Sequence, residues 1–206
     1  MAAGSANAAE VVVDDFGTLS TGGASILFSM TGQSASVGSS AGNRPTGLGN
    51  FALAPSASNP YFFADAADTN AGMLAESVGS YGTNAALPLG SGFSVSAGQN
   101  FQIYAWSASS AGVAIQYGTL GAMPQNTPAF IGLRFDLNDG TNDVTHYGWA
   151  EISIDGDDVT LYQFGYNDTA GAASVVPTAA VPEPSSLAML ALGATGLMRR
   201  RRQKAA

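Results

Sequence analysis

Two Asp-Gly steps, Asp139-Gly140 and Asp155-Gly156, punctuate the run from Phe130 to Tyr166 and constrain the fold more than any other feature of the chain. Between and around them lie Phe130-Ile-Gly-Leu-Arg-Phe-Asp136, Val144-Thr-His-Tyr-Gly-Trp-Ala-Glu-Ile-Ser-Ile154 and Val159-Thr-Leu-Tyr-Gln-Phe-Gly-Tyr166, in which apolar and polar residues largely alternate. Alternation sends successive side chains to opposite faces of a strand, and Asp-Gly provides the backbone that tight hairpins need. The block is expected to form three antiparallel strands in a meander.

Shorter segments point the same way. Val11-Val-Val13, Ala24-Ser-Ile-Leu-Phe-Ser29, Gly92-Phe-Ser-Val-Ser96, Phe101-Gln-Ile-Tyr-Ala-Trp106 and Gly112-Val-Ala-Ile-Gln-Tyr117 are rich in β-branched and aromatic residues and are bounded by Gly, Ser, Asn or Asp. One short helix is expected around Asn70 to Ser77, where Met73, Leu74 and Glu76 lie between glycines, and Gly32 to Gly49 reads as a loop or weak strand pair. The fold class is all-β. About 170 residues remain once the two ends are set aside, enough for one domain with a single core.

Charge separates this body from its tail. Of the 7 basic residues, Arg199, Arg200, Arg201, Arg202 and Lys204 lie at the C-terminus, leaving Arg44 and Arg134 against every acid of the chain except Glu183. Nucleic-acid binding depends on Lys and Arg neutralising phosphates, so no nucleic-acid partner is expected. The absence of cysteine excludes a disulfide framework, a thiolate nucleophile and any Cys-based metal site. With only 11% charged residues and 26 glycines, the composition suits an exported β protein better than a cytosolic enzyme.

Candidate sites are few. Gly38-Ser39-Ser40-Ala41-Gly42 fits the G-x-S-x-G pattern of a nucleophile elbow but lacks the strand before it and the helix after it. His146 is the sole histidine, and its place beside Tyr147 in a strand suits a structural hydrogen bond. No catalytic residues are assigned, and no enzyme activity is expected. Asp136, Asn138, Asp139 and Asp143 offer the oxygen donors that Ca²⁺ prefers, although the glycine falls one position early for an EF-hand and no bidentate Glu follows. Weak Ca²⁺ binding there competes with the plain fact that Asp, Asn and Gly make good turns, as they do in Asp155-Gly-Asp-Asp158. Asp157 and Asp158 are too close in sequence to act as a glycosidase pair. The aromatic residues Tyr104, Trp106, Tyr117, Trp149 and Tyr162 would stack on sugars if exposed on one face, but in a sandwich such residues usually fill the core.

The C-terminus has three parts. Val181-Pro182-Glu183-Pro184 is extended, because each proline fixes its own φ and disfavours helix before it. The uncharged stretch from Leu187 through Leu190, Leu192 and Leu197 to Met198 is expected to be a short transmembrane helix, marginal in length for a hydrocarbon core of about 30 Å. Arg199, Arg200, Arg201 and Arg202 then stay cytoplasmic by the positive-inside rule, which places the body across the membrane. In this order, at the extreme end of the chain, the three parts resemble the PEP-CTERM sorting signal of exported proteins in Gram-negative bacteria. The resemblance implies recognition by exosortase, cleavage near Pro182-Glu183-Pro184, a transient stay in the inner membrane, and transfer of the body to the cell surface or an exopolysaccharide matrix. An ordinary tail anchor would share the topology without the cleavage.

A second likeness covers Gly132-Leu-Arg-Phe135, His146-Tyr-Gly-Trp-Ala-Glu-Ile-Ser153 and Phe164-Gly-Tyr-Asn-Asp-Thr-Ala-Gly171. This block is similar to the region upstream of the sorting signal in many PEP-CTERM proteins, with Ala170 where proline is usual. The resemblance implies the last strands of a jelly-roll-like antiparallel β-sandwich. At the other end, Ala6-Asn7-Ala8 is a small-residue site of the kind that closes a secretory leader, and a reading frame beginning roughly twenty residues upstream would supply the rest of that leader. The expected organisation is a leader remnant at 1–9, a β-sandwich body at 10–176, then a proline-containing linker and sorting signal at 177–206. The expected role is a non-enzymatic surface or extracellular-matrix protein of exopolysaccharide or biofilm; the alternative is a lectin-like carbohydrate-binding module displayed by the same route.

Overall fold

Glycine, serine and β-branched residues in short runs leave little to build with except strands. The computed structural model of the protein describes residues 9–38, 45–55, 60–65, 68–78, 83–102, 104–107, 110–115 and 123–178, and among these no helix occurs. The strands of the first half are β1 (Glu10–Val13), β2 (Leu19–Ser20), β3 (Ile26–Ser29), β4 (Ser34–Val37), β5 (Asn50–Ala54), β6 (Tyr61–Ala64), β7 (Gly72–Val78) and β8 (Thr83–Ala86). They are followed by β9 (Ser94–Val95), β10 (Phe101–Gln102), β11 (Tyr104–Ser107), β12 (Ser110–Ala114), β13 (Ala129–Asn138), β14 (Asp143–Asp155), β15 (Asp158–Asn167) and β16 (Ser174–Val175). The chain divides into a unit Met1–Val176, which holds all of these strands, and a unit Pro177–Ala206.

Hydrogen-bonded neighbours run in the order β1-β15-β14-β13-β7-β8-β12-β6-β5-β3-β4, with β2 beside β15, β10 beside β7 and β11 beside β12. Pairing between these strands is antiparallel apart from one parallel contact, Ala114 to Ala85. The strand β7 joins two halves: Gly72 and Met73 pair with β13, whereas Ala75 to Val78 pair with β8. The halves pack face to face, with Phe28 of β3 5.3 Å from Phe164 of β15 and Phe51 of β5 edge-on to Phe135 of β13 at 5.6 Å. The core between them gathers Ile26, Leu53, Phe62, Met73, Ile131, Leu133, Ile152 and Leu161, all fully buried. An all-β body of antiparallel sheets is thus as the sequence leads one to expect.

The meander is present with its turns. Full register links Ala129–Asn138 to Asp143–Ile152, and Gly140 takes φ 93° in the connecting turn. Asp155 pairs with Asp158 across Gly156, whose φ of 60° at the first central position meets the requirement of a tight two-residue hairpin. A bulge shifts the register between Glu151 and Ile152, which pair with Gln163 and Leu161, so Tyr162 has no opposite residue. That extra residue changes the parity of β15. It lets Val159 and Leu161 and then Phe164 and Tyr166 all enter the same core.

The helix expected around Asn70 to Ser77 is instead strand β7. Its apolar residues do not lie on a single face: Met73 enters the core between the halves, while Leu74 enters a second cluster with Leu89, Val95, Phe101, Phe130, Tyr147, Trp149 and Val176. A strand buried on both faces carries a continuous apolar run with no alternation, which on sequence alone is indistinguishable from a short buried helix. In the span Gly32 to Gly49, one strand, β4, is described, and it pairs with β3.

Candidate functional site

The second cluster explains the His146-Tyr-Gly-Trp149 block. β14 is buried on both sides, with Tyr147 and Trp149 in the second cluster and Ala150, Ile152 and Ile154 in the main core. The Trp149 ring lies over Gly165 on the neighbouring strand, where an added Cβ would fall 2.7 Å from Trp149 Cζ2 and 2.7 Å from the Val11 carbonyl oxygen. Glycine is required there by space. Gly148 is confined as well, since a Cβ would fall 2.5 Å from the Gly165 carbonyl oxygen.

Polar groups around Trp149 fasten the two ends of the body to the meander. Trp149 Nε1–H donates to Glu10 Oε1 at 2.9 Å, and the Ser174 hydroxyl donates to the same oxygen. Glu10 begins β1 and Ser174 begins β16, so one carboxylate ties the first and last strands to the central hairpin. The buried His146 bonds through Nδ1 to the Asn167 carbonyl at 2.9 Å, which makes Nδ1 the protonated nitrogen, and its ring packs against both Phe135 and Tyr166. The Asn167 side chain donates to the Ala173 carbonyl and accepts from the Thr169 amide, fixing the turn that leads into β16. This is scaffold chemistry.

The four residues put forward for Ca²⁺ share one end of the β13–β14 hairpin but are occupied locally. Asp136 accepts from Asn70 Nδ2 and from Thr145 Oγ1, each at 2.8 Å. Asn138 donates to Asp143 at 2.9 Å and accepts from the Gly140 amide. Asp139 takes the Thr141 and Asn142 amides, each at 2.8 Å, and the Asn142 and Thr141 amide bonds hold its carboxyl below the usual range. Among the described residues no three His, Cys, Asp or Glu side chains gather as a metal site.

An unforeseen carboxylate sits beneath this hairpin. Asp68, in the loop before β7, is buried and receives the Gly49 amide at 3.3 Å and the Asp136 amide at 3.3 Å, so it links the turn that leads into β5 with strand β13. Burial pushes its carboxyl up to about 6; the Gly49 and Asp136 amides oppose that shift and the Asp136 carboxylate adds to it. Between the ordinary value of 3.8 and about 6 the folded protein binds a proton that the unfolded chain does not. The stability this group contributes is therefore full below pH 3.8 and is lost as pH rises through about 6. Asp68→Asn is expected to flatten the fall in urea midpoint between pH 4.5 and 7.5; an unchanged slope would show that Asp68 is not its source.

The remaining sequence candidates fall elsewhere. Gly38 alone of the Gly38–Gly42 pattern is described, and Ser40 lies outside the described residues, as do the side chains of Tyr104, Trp106 and Tyr117. Tyr162 is half-buried and bonds Ser153 Oγ at 3.0 Å, and Asp158 accepts from Thr21 Oγ1 at 2.9 Å. Pro182, Glu183 and Pro184, the apolar residues Leu187 to Met198, and Arg199 to Arg202 also lie outside the described residues. Among the described residues no helix is long and apolar enough to cross a membrane.

The sorting signal lies in that C-terminal segment. Residues 180–202 match the family model of the PEP-CTERM protein-sorting motif, which spans the Pro-Glu-Pro step, the apolar stretch and the arginine cluster. The chain thus carries the signal of an exported protein that is sorted by exosortase at the membrane toward the cell surface. No curated protein and no solved structure matches the chain.

Proposed function

We propose that the protein is a non-enzymatic component of the cell surface or of an exopolysaccharide matrix, delivered by exosortase as a folded β-sandwich. The observation that carries this reading is the order of the two parts. Among the described residues the last buried one is Val176, and the sorting motif begins at residue 180. In this reading residues 10–176 are displayed cargo with a jelly-roll-like arrangement, and 177–206 are linker and signal. The apolar residues Leu187 to Met198 hold the chain transiently in the inner membrane, and Arg199 to Arg202 stop it at the cytoplasmic face. The body's chemistry supports a scaffold role, because its one histidine is stacked and hydrogen-bonded within the meander. Weak Ca²⁺ binding at this hairpin would fall to the exposed Asn138, Asp139 and Asp143 rather than to the buried Asp136, and would bridge the acidic body to anionic polysaccharide.

Mass spectrometry of the C-terminal peptide tests this in hosts with and without exosortase. Loss of everything beyond the Pro182-Glu183-Pro184 region in the first host only is the expected result. An intact tail in both would reduce the segment to a membrane anchor.

A further inference from the structure

The reading of the chain as exported leaves open where its mature body begins, and the geometry of Ala9 bears on that point. Its backbone nitrogen lies 3.2 Å from Asp168 Oδ1, and its carbonyl oxygen accepts the Asp168 amide at 3.1 Å. From here onward the first strand is engaged by its side chains at three of four positions, Glu10 with Trp149 and Ser174 and Val11 and Val13 with the main core, while Val12 is exposed and pairs with Gly165 through its backbone. Asp168 is itself held in place, in the turn that Asn167 closes through the Thr169 amide and the Ala173 carbonyl. Immediately before Ala9 stands Ala6-Asn7-Ala8, the small-x-small pattern that leader peptidases cut on its C-terminal side.

We propose that the Ala8–Ala9 peptide bond is the leader-cleavage site and that the α-ammonium released on Ala9 pairs with the Asp168 carboxylate. Water supplies the chemistry: it adds across the C–N bond, Ala8 departs with a new carboxylate, and the Ala9 nitrogen keeps the proton as an amine that is cationic at neutral pH. Before the cut, Ala9 offers Asp168 one amide N–H. After it, the same atom offers three N–H groups and a positive charge at the same distance, and a charge-assisted bond is stronger than a neutral one. A cut two residues earlier, after Gly4-Ser5-Ala6, would leave the amine on Asn7, away from the nitrogen that faces Asp168. A cut after Ala9 would remove that nitrogen altogether. Processing at Ala8 thus locks the first strand onto the turn between β15 and β16. The pair is exposed, so its effect on the amine is modest.

The test uses the full chain with a basic and apolar leader lacking its own small-residue site joined ahead of Met1, followed by N-terminal sequencing of the exported protein. A start at Ala9 is expected, and Ala8→Phe is expected to block release. A start at Asn7, or at Glu10 and beyond, would overturn the assignment while leaving export intact. A chain retained in the cytoplasm with its leader in place would overturn the export reading and this inference with it. On the exported protein, NMR titration of the Ala9 α-amine should read a few tenths of a pH unit above the ordinary range of about 7.7–8.0. Asp168→Asn should return it to that range; the same titration in both proteins would overturn the pairing.

Discussion

Gly165→Ala is expected to lower the stability of the body by about 3 kcal/mol, because the new methyl cannot fit and the backbone cannot easily give way. One of the two atoms it would meet, at 2.7 Å, is the Val11 carbonyl oxygen, which belongs to strand β1 and is fixed by the pairing of Val11 with Tyr166. The other is the edge of the Trp149 ring, which is fully buried and has nowhere to move. Relief therefore requires β1 to lift from β15, and with it the Glu10 carboxylate that joins Trp149 to Ser174. A fall in Tm of about 9 °C is the corresponding thermal signature for a domain of this size. Gly90→Ala is the matched control, since nothing lies within 4 Å of the added carbon and its backbone is ordinary. A Gly165→Ala protein that melted with the control would show that this face is looser than its packing.

Trp149→Ala is expected to cost more, about 4 kcal/mol or roughly 12 °C in Tm. The indole is the largest fully buried side chain among the described residues, it meets Phe130 edge-on at 5.5 Å, and its removal leaves a cavity in the cluster that also holds Leu74, Leu89 and Val176. It also strips the Glu10 carboxylate of one of its two donors. Trp149→Phe keeps most of the volume while losing the bond to Glu10 and part of the ring, and should fall about 2 kcal/mol below the wild type. Combining Trp149→Ala with Gly165→Ala should give less than the sum of the two losses. Removing the ring removes one of the two contacts that the methyl would meet, and residues in contact do not act independently. Strict additivity, measured by urea denaturation, would place the whole strain of Gly165→Ala on β1.

Much of the meander could be read in advance because its information is local. Alternation and Asp-Gly steps are properties of neighbouring residues, and strands β13, β14 and β15 formed where they indicated. The bulge at Tyr162 went unread, although it left a trace in the sequence as a change of parity: the apolar set passes from Val159 and Leu161 to Phe164 and Tyr166, and only an extra residue reconciles them on one face. Strand β7 was misread for a physical reason. Met73, Leu74 and Ala75 serve two cores at once, and a segment buried on both faces shows no period. Strands β5 and β6 passed unnoticed among glycine and serine, although Phe51 and Leu53 alternate and Phe62 and Phe63 stand together as strand formers.

The site divides along the same line. The sorting motif is a linear signal, read by an enzyme from consecutive residues, and so Pro182-Glu183-Pro184, the apolar stretch and Arg199 to Arg202 announce themselves without any fold. The likeness around His146-Tyr-Gly-Trp149 marked a scaffold, but its reasons lie in distant pieces of chain: Glu10 reaches Trp149 across 139 positions and Asp68 reaches Asp136 across 68. By itself the sequence determined the fold class, the central hairpins and the destination of the protein, because each depends on residues adjacent in the chain. Tertiary structure alone decided that Gly165 must remain glycine, that Asp68 is buried between the halves, and that Ala9 meets Asp168. Those are contacts between segments that only folding brings together.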